Sequence, residues 1–184
     1  GLVALIFIGI RAGIFTAAQI PSGPPLPVAA ALLANAAAVG DDRAKADQVV
    51  RRYLWSAFFT TRYVGAAATR AAADYGPLRA YLEGIGSVDD VPVFDRDQYP
   101  LPSHRELLNA AWSKKADRLG RAVLAASTYF GARDFADDTR LSSDNIEKRE
   151  YHHLFPDALL RAAGIPSFVA LNCALITWKT NRTI

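Results

Sequence analysis

A chain of 184 residues, 51% apolar and with a formal net charge of +3, is long enough to bury a core as one domain or two small ones. Its slight basicity permits a polyanionic partner but lacks the dense basic stripe that would argue for one unaided. The single cysteine, Cys173, excludes an intramolecular disulfide and a Cys-rich zinc cluster, reads as a small buried hydrophobe, and points to a reducing cytoplasm.

The chain opens on an apolar stretch, but Arg11, Gln19 and interspersed glycines interrupt a run that would need about 20 apolar residues to cross a bilayer. No basic flank precedes it and no small-residue cleavage site follows, which argues against a secretory signal. It reads as a buried helix, with no membrane association. The missing initiator methionine, the core-like opening and the stop at Ile184 inside a motif lead us to expect a fragment of a longer protein.

From Gly1 to about Phe135, Ala, Leu and Arg recur at helical spacing between turn residues, which predicts an all-α block. Pro21-Ser22-Gly23-Pro24-Pro25 separates the first segment from a helix over about Pro27 to Val39, with Gly40 as its C-terminal cap. Asp41 or Asp42 then caps a longer helix, about Arg43 to Thr60. Its apolar face carries Val49, Val50, Tyr53, Leu54, Ala57 and Phe58, while Arg43, Lys45, Arg51 and Arg52 lie largely off it, as solvated cations before phosphate contacts.

Thr61 to Glu83 continue as helix, with a break expected at Gly76-Pro77 because proline removes a donor and disfavours helix in the residue before it. Gly84 to Pro102, with Asp95 and Asp97 among its aspartates, reads as a long surface loop. Ser103-His104-Arg105-Glu106 is a capping box that starts a helix through Trp112, and His104 within it is expected to be a surface residue. A last helix, about Lys115 to Phe130, should turn Leu119, Val123, Ala126 and Phe130 to the core and end at Gly131. No phosphate-binding glycine loop of the nucleotide-hydrolase type is present.

After Phe135 the texture changes. Asp137-Asp138 and Ser142-Ser143-Asp144-Asn145 are turn formers, and we place a boundary near Asp138, giving a helical domain over 1–138 and a second module over 139–184. Within the latter, Glu150-Tyr151-His152-His153-Leu154-Phe155-Pro156 precedes a short helix at about Asp157 to Ala163, ended by Gly164 and Pro166. A strand over Asn172 to Trp178 and then Lys179-Thr180-Asn181-Arg182 follow.

Adjacent side chains of an extended chain point to opposite faces, so His152 and His153 are poorly placed to ligate one ion together. Phosphodiester hydrolysis needs a base of near-neutral pKa to deprotonate water and a cation to neutralise charge on the phosphate and leaving oxygen. Histidine meets the first need. An imidazole and an amide oxygen, from His152 and Asn181, could meet the second, leaving positions for waters and phosphate, as magnesium is usually held.

These residues resemble the HNH motif: His152-His153-Leu154-Phe155-Pro156, then Asn172, then Asn181. More closely, Tyr151 to Pro156 with Thr177 to Arg182 is similar to the C-terminal nuclease domain of GmrSD-type modification-dependent restriction enzymes and SspE-type phage-defence proteins. Thr61-Arg62-Tyr63 to Arg70 likewise resembles the region preceding that module. The resemblance implies a mostly α fold, a helical bundle followed by a small ββα-metal (HNH) module whose last helix would begin around Asn181.

It further implies a magnesium- or manganese-dependent DNA endonuclease or nickase. His153 would be the general base, His152 and Asn181 the metal ligands, and Asn172 would orient the loop bearing His153. Lys148, Arg149, Lys179 and Arg182 would contact DNA phosphates, and Glu147 and Glu150 are candidate additional ligands. Phage DNA would be the substrate, selected by an N-terminal nucleotide-hydrolysing sensor domain of the same protein. The competing readings are a catalytically silent helical module that docks DNA or a partner, and a toxin nuclease acting on RNA, since such a site reads phosphate and not sugar.

Overall fold

A computed structural model describes residues 12–36, 40–112 and 117–182, without the side chains of residues 179 and 180. The fold is mostly helical with one small two-stranded antiparallel sheet. The chain divides into two compact units, one built on Ser22–Pro102 and the other on Gly13–Pro21 together with the chain from Ser103 onward. Most of the helix expected at the N-terminus falls outside the described residues; in its described part, Ala17–Gln19 forms a single 3₁₀ turn.

Among the described residues the first unit contains three α-helices, α1 (Pro25–Asn35), α2 (Asp41–Phe59) and α3 (Ala67–Leu82). α1 begins on a proline, whose missing N–H would be unsatisfied there in any residue, and packs Val28, Ala29, Leu32 and Leu33 inward. It ends earlier than expected, capped at Ala36, and residues 37–39 lie outside the described set. Gly40 instead caps the start of α2, at φ 95° and ψ −169°, a backbone region open to glycine and strained for other residues. Asp41 and Asp42 occupy the first turn of α2, where carboxylates are favoured by the helix dipole.

The expected face of α2 is the buried one: Val49, Val50, Tyr53, Leu54, Ala57 and Phe58 are all in the core. Three of its cations, Arg43, Lys45 and Arg52, are engaged within the unit. Arg43 pairs with Asp47 at 3.0 Å, Lys45 donates to the Tyr81 carbonyl at 3.0 Å, and Arg52 lies over the Phe94 ring.

Thr61 to Ala66 is a turn, not helix, and α3 runs unbroken through Pro77. Asp74 and Leu78, on either side of the proline, have no exposed surface, so burial fixes both flanking turns and overrides the local preference. Asp74 anchors an interior polar network. Arg62 donates to it through Nη2 at 2.9 Å and to the Tyr99 hydroxyl through Nη1 at 2.8 Å, the Tyr63 hydroxyl also donates to it, and Tyr53 meets Tyr63 at 2.6 Å. Arg70 closes the turn by donating to the carbonyls of Arg62 and Val64. The motif around Thr61-Arg62-Tyr63 is thus an internal brace.

Gly84 to Pro102 is not a loose surface loop. It holds 3₁₀ turns at Val88–Asp90 and Pro92–Phe94 and buries Val91 and Val93 completely. Its aspartates serve those turns, Asp90 accepting from the Ser87 N–H and Asp95 from the N–H groups of Asp97 and Gln98.

In the second unit α4 (His104–Leu108) starts at the expected capping box, the Ser103 hydroxyl accepting from the Glu106 N–H and the Glu106 carboxylate from the Ser103 N–H. His104 is exposed. The helix stops at Asn109, short of Trp112, because the chain is drawn out by pairing: Ala111 bridges Val169 antiparallel, Trp112 N–H donates to the Phe168 carbonyl, and Ala170 N–H to the Ala110 carbonyl. These bonds build the segment 103–138 into the unit that carries the histidines, so compactness divides the chain at Pro102 and not at the change of texture near Asp138.

Residues 113–116 lie outside the described set, and α5 (Arg118–Tyr129) is capped by the Asp117 carboxylate. Its buried face is Gly120, Ala122, Leu124, Ala125 and Thr128, while Leu119, Val123 and Ala126 are half-buried and Phe130 is 84% exposed. The expected face followed the large apolar residues. The helix instead buries Leu124 among small residues, and Gly120 allows a close backbone approach: a Cβ there would lie 2.1 Å from the Ala111 carbonyl oxygen.

The sheet is a hairpin of β1 (Arg149–His153) and β2 (Cys173–Thr177), with Glu150 opposite Ile176, His152 opposite Ala174 and His153 opposite Cys173. α6 (Asp157–Ala162) lies in the connection, and β2 runs directly into α7 (Trp178–Asn181). A small core of Leu141, Ile146 and Leu175, joined by Phe15, Ala132 and Tyr151, backs the hairpin. Among the described residues no helix is long and apolar enough to cross a membrane.

Candidate functional site

Alternation along β1 sends Arg149, Tyr151 and His153 to one side and Glu150 and His152 to the other. Tyr151 anchors the first side: its ring meets Trp112 edge-on at 5.2 Å between centroids, and burial pushes its hydroxyl pKa up. Anchoring one residue of a strand sets the facing of its neighbours.

Arg149 is buried on that side. Its guanidinium pairs with the fully buried Asp134 at 3.0 Å and donates to the Asn145 carbonyl at 3.1 Å, with side-chain exposure of 5%. A cation this buried is held by its carboxylate, and withdrawing it would leave Asp134 uncompensated. Lys148 is exposed at the end of the 3₁₀ turn before β1, as is Glu147. Arg182 is exposed and stacks 3.4 Å above the Trp178 ring centroid, and the Lys179 side chain lies outside the described set. The last helix begins at Trp178, directly after β2, and not around Asn181.

His152 has its Nδ1 3.0 Å from the His153 carbonyl oxygen. A carbonyl only accepts, so this contact calls for the proton on Nδ1, an arrangement that in the neutral ring leaves the lone pair on Nε2. Across the hairpin the Asn181 Nδ2 donates to the Glu150 carboxylate, leaving Oδ1 as that amide's acceptor end. His153, on the opposite face, meets the Phe168 ring edge-on at 5.2 Å between centroids.

Asn172 is 5% exposed and clamps the chain leaving β1. Its backbone carbonyl accepts from the Leu154 N–H at 2.8 Å and its Oδ1 from the Phe155 N–H at 2.9 Å. Its Nδ2 donates to the carbonyls of Phe155 and Ser167 at 3.1 and 3.0 Å, so the amide is fully satisfied. Ser167 in turn donates to Asp157. Cys173 faces His153 across the hairpin with its thiol half-buried, and burial pushes its pKa up to about 11.

Among the described residues no three His, Cys, Asp or Glu side chains gather as a metal cluster. The residues that could hold an ion are one imidazole and one amide, His152 with its Nδ1 against a carbonyl and Asn181 with an NH₂ proton on Glu150, which leaves the amide oxygen as its acceptor end. Such a sparse nitrogen and oxygen set, completed by water and phosphate oxygens, suits magnesium or manganese and not a structural zinc. The roles of Phe168, Asp134 and the Glu150–Asn181 bond were not visible in the sequence; only the two-residue spacing of Glu150 and His152 hinted at a shared face. The chain matches no known protein family, no curated protein and no solved structure.

Proposed function

We propose that the hairpin and α7 form the working part of an HNH-type (ββα-metal) module that nicks DNA with the help of a divalent cation. The observation that carries this reading is where the two side chains spend their donors: His152 sets Nδ1 against a backbone carbonyl, which in the neutral ring leaves Nε2 to accept, and Asn181 spends an NH₂ proton on a carboxylate, which leaves Oδ1 as its acceptor end. His152 and Asn181 would hold the ion, which when bound neutralises charge on the phosphate and leaving oxygen. His153 takes the proton from the attacking water, from the face of β1 that does not bear the His152 ligand. Asn172 holds the loop after β1, and so His153, in place. Lys148 and Arg182, both exposed, contact phosphates; Arg149 does not.

In this reading the module is cytoplasmic and works within a longer phage-defence protein whose N-terminal nucleotide-hydrolysing domain selects the DNA. Supercoiled plasmid incubated with Mg²⁺ or Mn²⁺ tests the activity. Open-circular product that disappears with chelator is expected; intact plasmid at all metal concentrations refutes it, and cleavage of RNA but not plasmid reassigns the substrate.

A further inference from the structure

An asparagine amide has two ends of nearly equal size and opposite hydrogen-bonding character. A metal takes only the oxygen end, so an asparagine ligand needs something to stop it presenting its NH₂. Glu150 is two residues before His152 on β1, and their side chains leave the same face of the strand. It lies opposite Ile176, and β2 passes directly into α7, which ends at Asn181. The hairpin thereby brings a carboxylate to the Asn181 amide, and Nδ2 donates to Oε1.

We propose that Glu150 is a positioning residue: its carboxylate, which can only accept, holds the NH₂ end of Asn181 and so turns Oδ1 toward the ion shared with His152. This rests on the nuclease reading above and assigns Glu150 a place behind the ligand instead of among the ligands. The logic is that of carboxylates that orient metal-binding histidines, whose loss commonly weakens metal affinity about 10–100-fold.

The test is Mn²⁺ binding by the whole chain, read from the electron paramagnetic resonance signal of the free aquated ion, with no nucleic acid present. Glu150→Ala is expected to bind about 10–100-fold more weakly. Glu150→Gln, which keeps an acceptor oxygen for the Asn181 NH₂, is expected to stay within about threefold of the parent, whereas a direct ligand that exchanges its carboxylate for a neutral amide gives up its charge attraction to the ion and is expected to lose more. Glu150→Ala combined with Asn181→Ala is expected to bind no more weakly than Asn181→Ala alone, since coupled residues are not additive.

Glu150→Gln as weak as Glu150→Ala overturns the proposal in favour of direct ligation, and additive losses in the double variant overturn it as well. If Glu150→Ala binds like the parent, the positioning role fails while the nuclease reading stands; a parent chain that binds no Mn²⁺ defeats both. Should thermal melting show that Glu150→Ala does not fold, Glu150→Gln decides, near-parent affinity upholding the role and a loss of tenfold or more ending it.

Discussion

Because a strand turns neighbouring side chains to opposite faces, His152 and His153 should fail in different ways when truncated. His152→Ala is expected to weaken Mn²⁺ binding and nicking together, and unchanged calorimetric affinity would remove it from the ligand set. His153→Ala should leave fold and affinity near the parent while slowing nicking by about a hundredfold to ten-thousandfold, the usual worth of a positioned base. Parent-rate nicking by that variant would exchange the two roles. Arg149 and Lys148 make a second contrast. Arg149→Ala should cost about 3–5 kcal/mol in chemical denaturation, because Asp134 is left charged and buried without its partner, whereas Lys148→Ala should leave stability nearly unchanged. Basic residues beside a histidine pair look alike in a sequence; what separates them is Asp134, a distant loop carboxylate that no local pattern links to Arg149.

At the scale of elements, a helix was easiest to foresee where large residues mark its inner face. The buried stripe of α2 follows from the spacing of Val50, Tyr53, Leu54, Ala57 and Phe58. In α5 the same reasoning chose Leu119 and Val123, since it weighs bulk and cannot see a neighbouring backbone that demands small residues. Leu124→Ala, from a position 4% exposed, is therefore expected to cost about 2–5 kcal/mol, and thermal melts should show clearly smaller losses for Leu119→Ala and Val123→Ala. Gly120→Ala is the sharper test. Helix propensity alone would stabilise by about 1 kcal/mol, but the added methyl meets the Ala111 carbonyl, so net destabilisation is expected, of the roughly 1–3 kcal/mol typical of overpacking. A raised melting temperature would mean that α5 and the Ala111 segment separate easily. Pro77 carries the same lesson from the other side, for its helix is held by what Asp74 and Leu78 touch.

Over the whole chain, the change of texture after Phe135 located the hairpin but not the limits of the compact unit containing it, because the ties to Ala110 and Trp112 are backbone hydrogen bonds, to which side-chain identity contributes little. Net charge is similarly silent on where binding occurs: the +3 excess is modest, and several cations are spent inside the first unit. If DNA binds along the hairpin, removing Lys148 or Arg182 should each reduce the slope of log affinity against log salt by about 0.9, the value per neutralised phosphate on duplex DNA. Arg149→Ala should leave that slope unchanged in any fraction that remains folded. Equal slopes for all three variants would move the nucleic-acid surface elsewhere.

The position of Cys173 has one more consequence. A thiol with a pKa near 11 is ionised in only about one molecule in ten thousand at neutral pH, and the thiolate is the form that reacts. Alkylation of the folded chain should therefore be very slow and should accelerate whenever β2 parts from β1 and restores ordinary acidity. As the chain has no other cysteine, its labelling rate is a clock for the opening of the hairpin, read without any mutation. Bound Mn²⁺ should slow that clock if the ion bridges His152 on β1 to Asn181 beyond β2, because local opening would then have to release it.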